Sequence, residues 1–228
     1  MRHTVHSCQD LVANNNTPSF WNNKLLSNRS LIVRSSIYLK KNNLVLKHLK
    51  YIKGKVLNVG IGYGYIEELI VKHKLELEMC GIDISKFAIN NAKKRFLGRF
   101  IVSSVRNIPF KKNKFDCVLA LDILEHLSKE RINQALSEIH RVLKSNGLFI
   151  ISIPMNESVK DRLENRHVRI YTKKIIESEL EKNSFKVIKS YALTAFEKLF
   201  AIKSIINHIF EIKKPNLLIL VCKKLNTK

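Results

Sequence analysis

Hydrophobic positions along the chain alternate between two periods. Short apolar runs of strand character lie near 55–59, 77–82, 99–103, 115–120 and 147–153. Between them, apolar residues recur every three to four positions near 64–73, 86–96 and 129–143, the spacing of amphipathic helices. Strands alternating with helices predict a mainly parallel sheet covered on both faces, with any ligand at the carboxyl ends of its strands. Upstream, Leu31, Ile32, Val33, Ile37, Leu39, Leu44, Leu46 and Leu49 suggest one or two helices before the first strand, which could cover that ligand cleft. Downstream, Thr172 is a helix cap ahead of a helix reaching about Asn183, and strands follow near 186–191 and 217–222. The stretch between them, 194–214, is too long for a hairpin. Its apolar residues, among them Phe196, Leu199, Phe200, Ile206 and Phe210, recur at helical spacing and predict a helical insertion. That apolar face either packs on the domain or a second subunit, or lies in a membrane surface with Lys198, Lys203, Lys213 and Lys214 near anionic head groups.

Candidate chemistry enters where the first strand meets the first helix of this alternation. There the chain reads Val56-Leu57-Asn58-Val59-Gly60-Ile61-Gly62-Tyr63-Gly64. Glycines at alternate positions admit positive φ and close approach of a ligand to the backbone, beside a helix start with unpaired N–H groups. A nucleotide-like ligand is implied. The spacing is G-x-G-x-G rather than the G-x-G-x-x-G of dinucleotide folds. Asp83 ends the next strand, 19 residues after Gly64, where a carboxylate can accept both ribose hydroxyls of an adenosine. Ser85 is the better cap for the helix that follows.

The glycine loop resembles motif I of the class I S-adenosylmethionine (SAM) methyltransferases. Residues 103–110, 115–127 and 138–154 resemble successive motifs of that superfamily in order, so that the likeness covers about 50–190. The nearest resemblance is to the branch of ubiquinone-type and glycan- or natural-product-modifying enzymes. It implies a Rossmann-like, seven-stranded, mainly parallel sheet with helices on both faces and a last strand inserted antiparallel. It implies an N-terminal helical extension over 1–50 and a methyltransferase domain over 51–228. By the same resemblance Gly60, Gly62 and Gly64 pass beneath the methionine part of SAM, Asp83 holds the ribose and Ile84 packs on adenine. Backbone around Ser104 and Val105 addresses the adenine edge, and the carbonyl region of Ala120 and Leu121 receives the SAM ammonium. Two positions depart from the family pattern. Asn58 stands where motif I is commonly acidic, and Ser104 where a carboxylate often accepts the adenine amino group; each still hydrogen-bonds, without charge assistance.

Acceptor chemistry points to Asp122, Glu125 and His126, which a helical turn after the fourth strand would put on one side. His126 is a general-base candidate because imidazole titrates near neutral pH. His167 is a further candidate, since similar segments in the family reach back over the acceptor pocket, and Arg166 and Arg169 could clamp an anionic acceptor. No Asp-Pro-Pro-Tyr or Asn-Pro-Pro-Tyr follows the fourth strand, which argues against an exocyclic amine of adenine or glutamine. The expectation is methyl transfer to a hydroxyl or amine of a small-molecule, sugar or lipid-linked acceptor. The alternatives are an RNA ribose 2′-O-methyltransferase and a non-catalytic SAM-fold binding protein. Asp122, Glu125, His126 and His167 also resemble in type and order the Glu-x-x-Glu-His and later His that hold a divalent cation in small-RNA terminal 2′-O-methyltransferases. Mg²⁺, Mn²⁺ or Zn²⁺ is therefore a second option beside a metal-free site, which is preferred.

Composition modifies this picture only at the surface. A chain of 228 residues that is 45% hydrophobic accommodates one sizeable domain with extensions. Net charge is +22, from 41 Lys and Arg against 19 Asp and Glu, which invites RNA or an anionic membrane. The basic residues are dispersed and rich in lysine, as an AT-rich coding sequence produces without selection for binding. Cys8, Cys80, Cys117 and Cys222 form no C-x-x-C pair and read as reduced thiols. With neither a signal-peptide pattern nor a run of membrane-spanning length, the expected location is cytoplasmic, with peripheral membrane contact open. The pattern sets no oligomeric state.

Overall fold

The computed structural model describes residues 16–27, 36–194 and 214–225. Its strands are β1 (Gly54–Val59), β2 (Leu77–Asp83), β3 (Arg99–Val102), β4 (Phe115–Leu121), β5 (Leu143–Pro154), β6 (Phe185–Leu193) and β7 (Leu217–Lys224). They form one sheet in the order β3-β2-β1-β4-β5-β7-β6. Strands β1 to β5 pair in parallel, and β7 runs antiparallel between β5 and β6. The chain thus leaves β1 in one direction to reach β2 and β3, and returns to its other side for β4 and β5. That reversal opens a crevice at the carboxyl ends of β1 and β4.

Both faces of the sheet are covered, which explains why the central strands read as nearly continuous apolar runs. On one face Val56, Cys117, Leu119, Ile150 and Ile219 pack with Val45 and Leu49 of α2 (Ser36–Leu49) and with Ile66 and Ile70 of α3 (Tyr65–Lys72). On the other, Leu57, Val118, Ala120, Phe149 and Ile151 meet α5 (Lys129–Val142) and α7 (Lys173–Lys182). In α5 the buried set is Ile132, Ala135, Leu136, Ile139 and Val142, one stripe at three- and four-residue spacing. Each isoleucine, leucine or valine of the stripe gains roughly 1.5–3 kcal/mol on burial, so Leu136→Ala is expected to destabilise the fold by about 2–5 kcal/mol.

Helix α4 (Lys86–Arg95) starts as expected at Ser85, whose hydroxyl accepts the N–H of Ala88 at 3.1 Å. The helix expected to reach 143 stops at Val142, because Leu143 already pairs with Phe115 and opens β5 with a register shift. Two helices lie where the periodicity did not single them out. In α1 (Pro18–Ser27), Thr17 accepts the N–H of Phe20 at 3.2 Å and proline occupies the first helical position. In α6 (Val159–Asn165), the Ser158 hydroxyl accepts the N–H of Asp161 at 3.1 Å. Cys80, Cys117 and Cys222 are buried free thiols, and Cys8 lies outside the described residues. All of the insertion expected over 194–214 except its two end residues also lies outside them. Among the described residues no helix is long and apolar enough to cross a membrane.

Candidate active site

A cavity of about 840 Å³ lies at the crevice, within the usual range of small-molecule sites. Its floor is the glycine loop after β1, Asp83 at the end of β2 and Leu121 at the end of β4. Its far side includes Glu125, His126 and His167, and Trp21, Lys24, Tyr38 and Lys41 come from the two helices ahead of the sheet. The helix α2 lines the cleft as the 31–50 pattern suggested, and α1, which that pattern did not single out, joins it there. Ser85 donates its hydroxyl to the Asn22 side chain at 2.6 Å, which fastens α1 to the start of α4.

The glycines of the loop serve different ends. A Cβ on Gly60 would stand 2.0 Å from the Ile123 side chain, and one on Gly64 would stand 2.7 Å from Phe96, so protein packing excludes side chains there. Gly62 has φ +56°, and a Cβ on it would meet nothing within 4 Å. This is the cradle of the loop, open to a ligand. Asp83 holds the same residue: its Oδ2 accepts the Gly62 N–H at 2.9 Å and its Oδ1 accepts the Ser85 N–H at 2.8 Å. Burial raises the Asp83 pKa, opposed by these N–H groups and that of Ile84. The carboxylate keeps lone-pair capacity for a ribose hydroxyl. Ile84, Ser104 and Val105 line the same end. The Ser104 hydroxyl oxygen accepts the N–H of Arg106 at 3.2 Å, a turn contact that leaves its own proton to donate.

Asn58 is buried and donates to Glu67 Oε1 at 2.8 Å, while Asn58 Oδ1 and Glu67 Oε2 have no hydrogen-bond partner. A buried acid thus stands beside Asn58, contributed nine residues later from the first turn of α3. Sequence reading passed over Glu67 because an acid there is ordinary complement to the helix dipole. Burial raises its pKa, and the Asn58 contact opposes the shift.

At the acceptor end, Asp122 departs from the expected arrangement. It adopts φ +56°, which breaks the helical turn, and only Leu124–His126 form a short 3₁₀ turn. Its carboxylate accepts Lys41 Nζ at 2.5 Å, the Ser152 hydroxyl at 2.5 Å and the Tyr38 hydroxyl at 3.1 Å. Burial alone would raise its pKa; Lys41, Ser152 and Tyr38 outweigh burial and lower it. Asp122 is therefore engaged elsewhere and does not join the group that Glu125, His126 and His167 form.

Glu125 is fully buried, and neither carboxylate oxygen has a hydrogen-bond partner. Burial first, and the nearby Asp122 second, push its pKa well above the ordinary value. His126 directs Nδ1 to the Arg166 carbonyl at 3.2 Å and lies edge-on to Trp21 and to His167, with ring centroids 4.8 and 4.7 Å away. Burial, then His167, lower its pKa to about 3. A ring so hard to protonate is a weak proton acceptor, which favours His167 over His126 as the candidate general base. His167 instead holds Nδ1 at 2.7 and 2.8 Å from the two oxygens of Glu157, with Nε2 3.9 Å from Glu125. Glu157 had no signal in the sequence. Ligand atoms of Glu125, His126 and His167 all lie within 4.8 Å of one another. Neither candidate clamp arginine is among the residues that line the cavity: Arg169 is ion-paired with Glu179 and donates to Tyr171, and the Arg166 guanidinium lies over the Phe20 ring.

The glycine loop, the Asp83 carboxylate and the Glu125–His126–His167 group share one cavity at one end of a doubly wound sheet. Residues 57–151 match the methyltransferase domain family. The chain is 31% identical over 165 residues to an uncharacterised protein of Methanocaldococcus jannaschii, covering 70% of this chain and 68% of that one. It is 34% identical over 98 residues to the demethylmenaquinone methyltransferase of Thermotoga maritima, and there the match spans 42% of either chain. The fold matches Burkholderia thailandensis 1,6-didemethyltoxoflavin-N1-methyltransferase, solved with 1,6-didemethyltoxoflavin and S-adenosylhomocysteine. The TM-score is 0.70 at 15% identity, over 99% of this chain and 94% of that one. The chain belongs to the class I SAM-dependent methyltransferases, and its cofactor is SAM. The open cradle at Gly62 and the oriented Asp83 carboxylate fit that cofactor.

Proposed function

We propose that the protein transfers the methyl group of SAM to a hydroxyl or amine of a small-molecule, sugar or lipid-linked acceptor held against Glu125, His126 and His167. The observation that carries this reading is the fully buried, unpartnered Glu125 carboxylate beside two imidazoles in the same cavity as the Gly62 cradle. Bound SAM supplies a methyl already activated on sulfonium. The chain must then bind, align and deprotonate. Asp83 takes the ribose hydroxyls, Ile84, Ser104 and Val105 take the adenine, and the Leu121 carbonyl faces the methionine end. His167 accepts the acceptor's proton at Nε2, while Glu157 holds its Nδ1–H and stabilises the ring once charged. Glu125 is favoured in its protonated form by burial and gives the acceptor one O–H donor and one acceptor oxygen. His126, kept neutral, fixes the acceptor end against Trp21.

The test is methyl transfer from tritiated SAM to cell extract split into RNA, lipid and small-molecule fractions. Label in the small-molecule or lipid fraction supports the reading. Salt-resistant label in RNA would replace it with a ribose methyltransferase, since phosphate contacts alone weaken steeply with salt.

A second reading places a divalent cation on Glu125 and the Nε2 atoms of His126 and His167. It is favoured by the convergence of their ligand atoms and by the Nδ1 partners, the Arg166 carbonyl and Glu157, which leave both Nε2 lone pairs free. Such an ion orients a hydroxyl and lowers its pKa. Trp21 is the chain's single tryptophan and lies against His126, so Mn²⁺ bound there quenches its fluorescence. Saturable quenching abolished by Glu125→Gln supports the ion; full methyl transfer after chelation, with no quenching, removes it.

A further inference from the structure

Among the described residues two lysines line the cavity, and their electrostatic positions differ. Lys41 is paired with Asp122. Lys24, on α1, is in no ion pair among the described residues: its ammonium donates to the Asn165 side-chain oxygen at 3.2 Å and lies 5.2 and 5.7 Å from the centres of the Trp21 and Phe20 rings. An ammonium has three donors, and this neutral amide takes one. Burial first, and the neighbouring Arg166 second, lower the Lys24 pKa against the opposing pull of Glu164. The acids of the surrounding wall are engaged elsewhere, Asp122 by Lys41, Glu157 by His167 and Asp161 by the Ser158 hydroxyl. Other contacts of α1 hold Lys24 in place. Leu25 packs with Tyr63 and Ala88, Asn22 accepts the Ser85 hydroxyl, and the Lys24 carbonyl accepts the Tyr63 hydroxyl at 3.4 Å. The ammonium is thereby kept beside the acceptor group, since Trp21 neighbours both it and His126.

We propose that Lys24 selects acceptors carrying an anionic group, a carboxylate or a phosphate, which its ammonium binds while the reacting hydroxyl or amine stands at His167 and Glu125. This rests on the methyl transfer proposed at that group and narrows its acceptor to an acidic compound. The contact is charge-assisted, asks only for a point charge and not for a bidentate fork, and gives a partly desolvated cation the counter-ion that the wall does not supply. No motif of the chain pointed to Lys24, because its place beside the site depends on how α1 docks and not on spacing within α1.

The test begins with the full wild-type chain, which transfers tritium from SAM into the small-molecule and lipid fractions of cell extract, and the products are passed over an anion exchanger. Label is expected in the retained material. Retention lost on phosphatase treatment marks a phosphate monoester, and retention kept marks a carboxylate or a phosphate diester; either supports the proposal. Lys24→Met keeps the aliphatic stem beside Trp21 and removes the charge, with folding checked by thermal melting. It is expected to need about tenfold or more of the retained fraction for half-maximal transfer, the loss of one charge-assisted contact. Its maximal rate, and its SAM affinity by calorimetry, should stay within about threefold of wild type, too small a change for such a loss. Lys24→Arg keeps the charge and should recover most of the half-saturation. Label confined to unretained products, a Lys24→Met that half-saturates as wild type does, or a loss that Lys24→Arg shares in full overturns the proposal and leaves the methyl transfer standing. No label in either fraction overturns both.

Discussion

His167 turns Nδ1 to both carboxylate oxygens of Glu157, at 2.7 and 2.8 Å, and thereby presents Nε2 to the cavity on the side of Glu125. The pair comes from the two ends of the segment around α6, and neither residue sits on a strand. Glu157→Gln keeps the size but loses the charge that supports a protonated ring. Turnover is expected to fall about tenfold or more, with SAM affinity unchanged, since general-base assistance is worth roughly 10²–10⁴ and this residue only orients it. Steady-state kinetics beside calorimetry checks it; an equal loss in binding would mean that Glu157 supports the fold instead.

Asp83→Asn tests the ribose contact better than alanine, because Asp83 also accepts the N–H groups of Gly62 and Ser85. Asparagine retains one acceptor oxygen and loses the charge. SAM affinity should fall by more than tenfold, from charge-assisted bonds worth about 1.5–3 kcal/mol each. A folded variant with wild-type affinity would refute the ribose role.

Two glycines of the same loop should respond differently, Gly60 chiefly in stability and Gly62 chiefly in binding. Gly60→Ala drives a methyl into Ile123 and lowers thermal stability, whereas Gly62→Ala meets open space and bears only the strain of its positive φ, about 1–3 kcal/mol. Binding is where Gly62→Ala should fail. Melting curves and SAM titrations on both variants give the comparison, and it fails if Gly62→Ala binds normally.

Glu67 carries a pH signature. Its folded pKa is raised by burial, so the folded state holds its proton where the unfolded chain, with a pKa of about 4.3, has released it. Unfolding then releases a proton, and stability falls as pH rises from about 4.3 through the folded value. Glu67→Gln should therefore raise the melting temperature at neutral pH, with the gain vanishing below about pH 4. A gain that persists in acid would point to packing instead.

The sheet was legible because its strands are buried on both faces and its helices keep one apolar stripe, as in β4 and α5. The cofactor end was legible because Gly62 and Asp83 are placed by local chain geometry at successive strand ends. The acceptor end was only partly so. Glu125, His126 and His167 were identifiable as residue types, but Asp122 turns away at φ +56° toward Lys41, and that contact spans the sheet and α2. The weak basicity of His126 arises from burial under Trp21 and beside His167, contacts that sequence spacing does not encode. Helix α6 did have a signal, the Ser158 to Asp161 capping contact, in a stretch that otherwise reads as a charged connection.

On the proposed reading, SAM-dependent transfer takes place at His167. The direct measurement is tritium transfer from SAM into the small-molecule and lipid fractions by wild type and by His167→Ala, at saturating SAM. The account predicts label from wild type and a rate at least about a hundredfold lower in the variant, the low end of general-base catalysis, with SAM binding retained. Equal rates in the two proteins would contradict it.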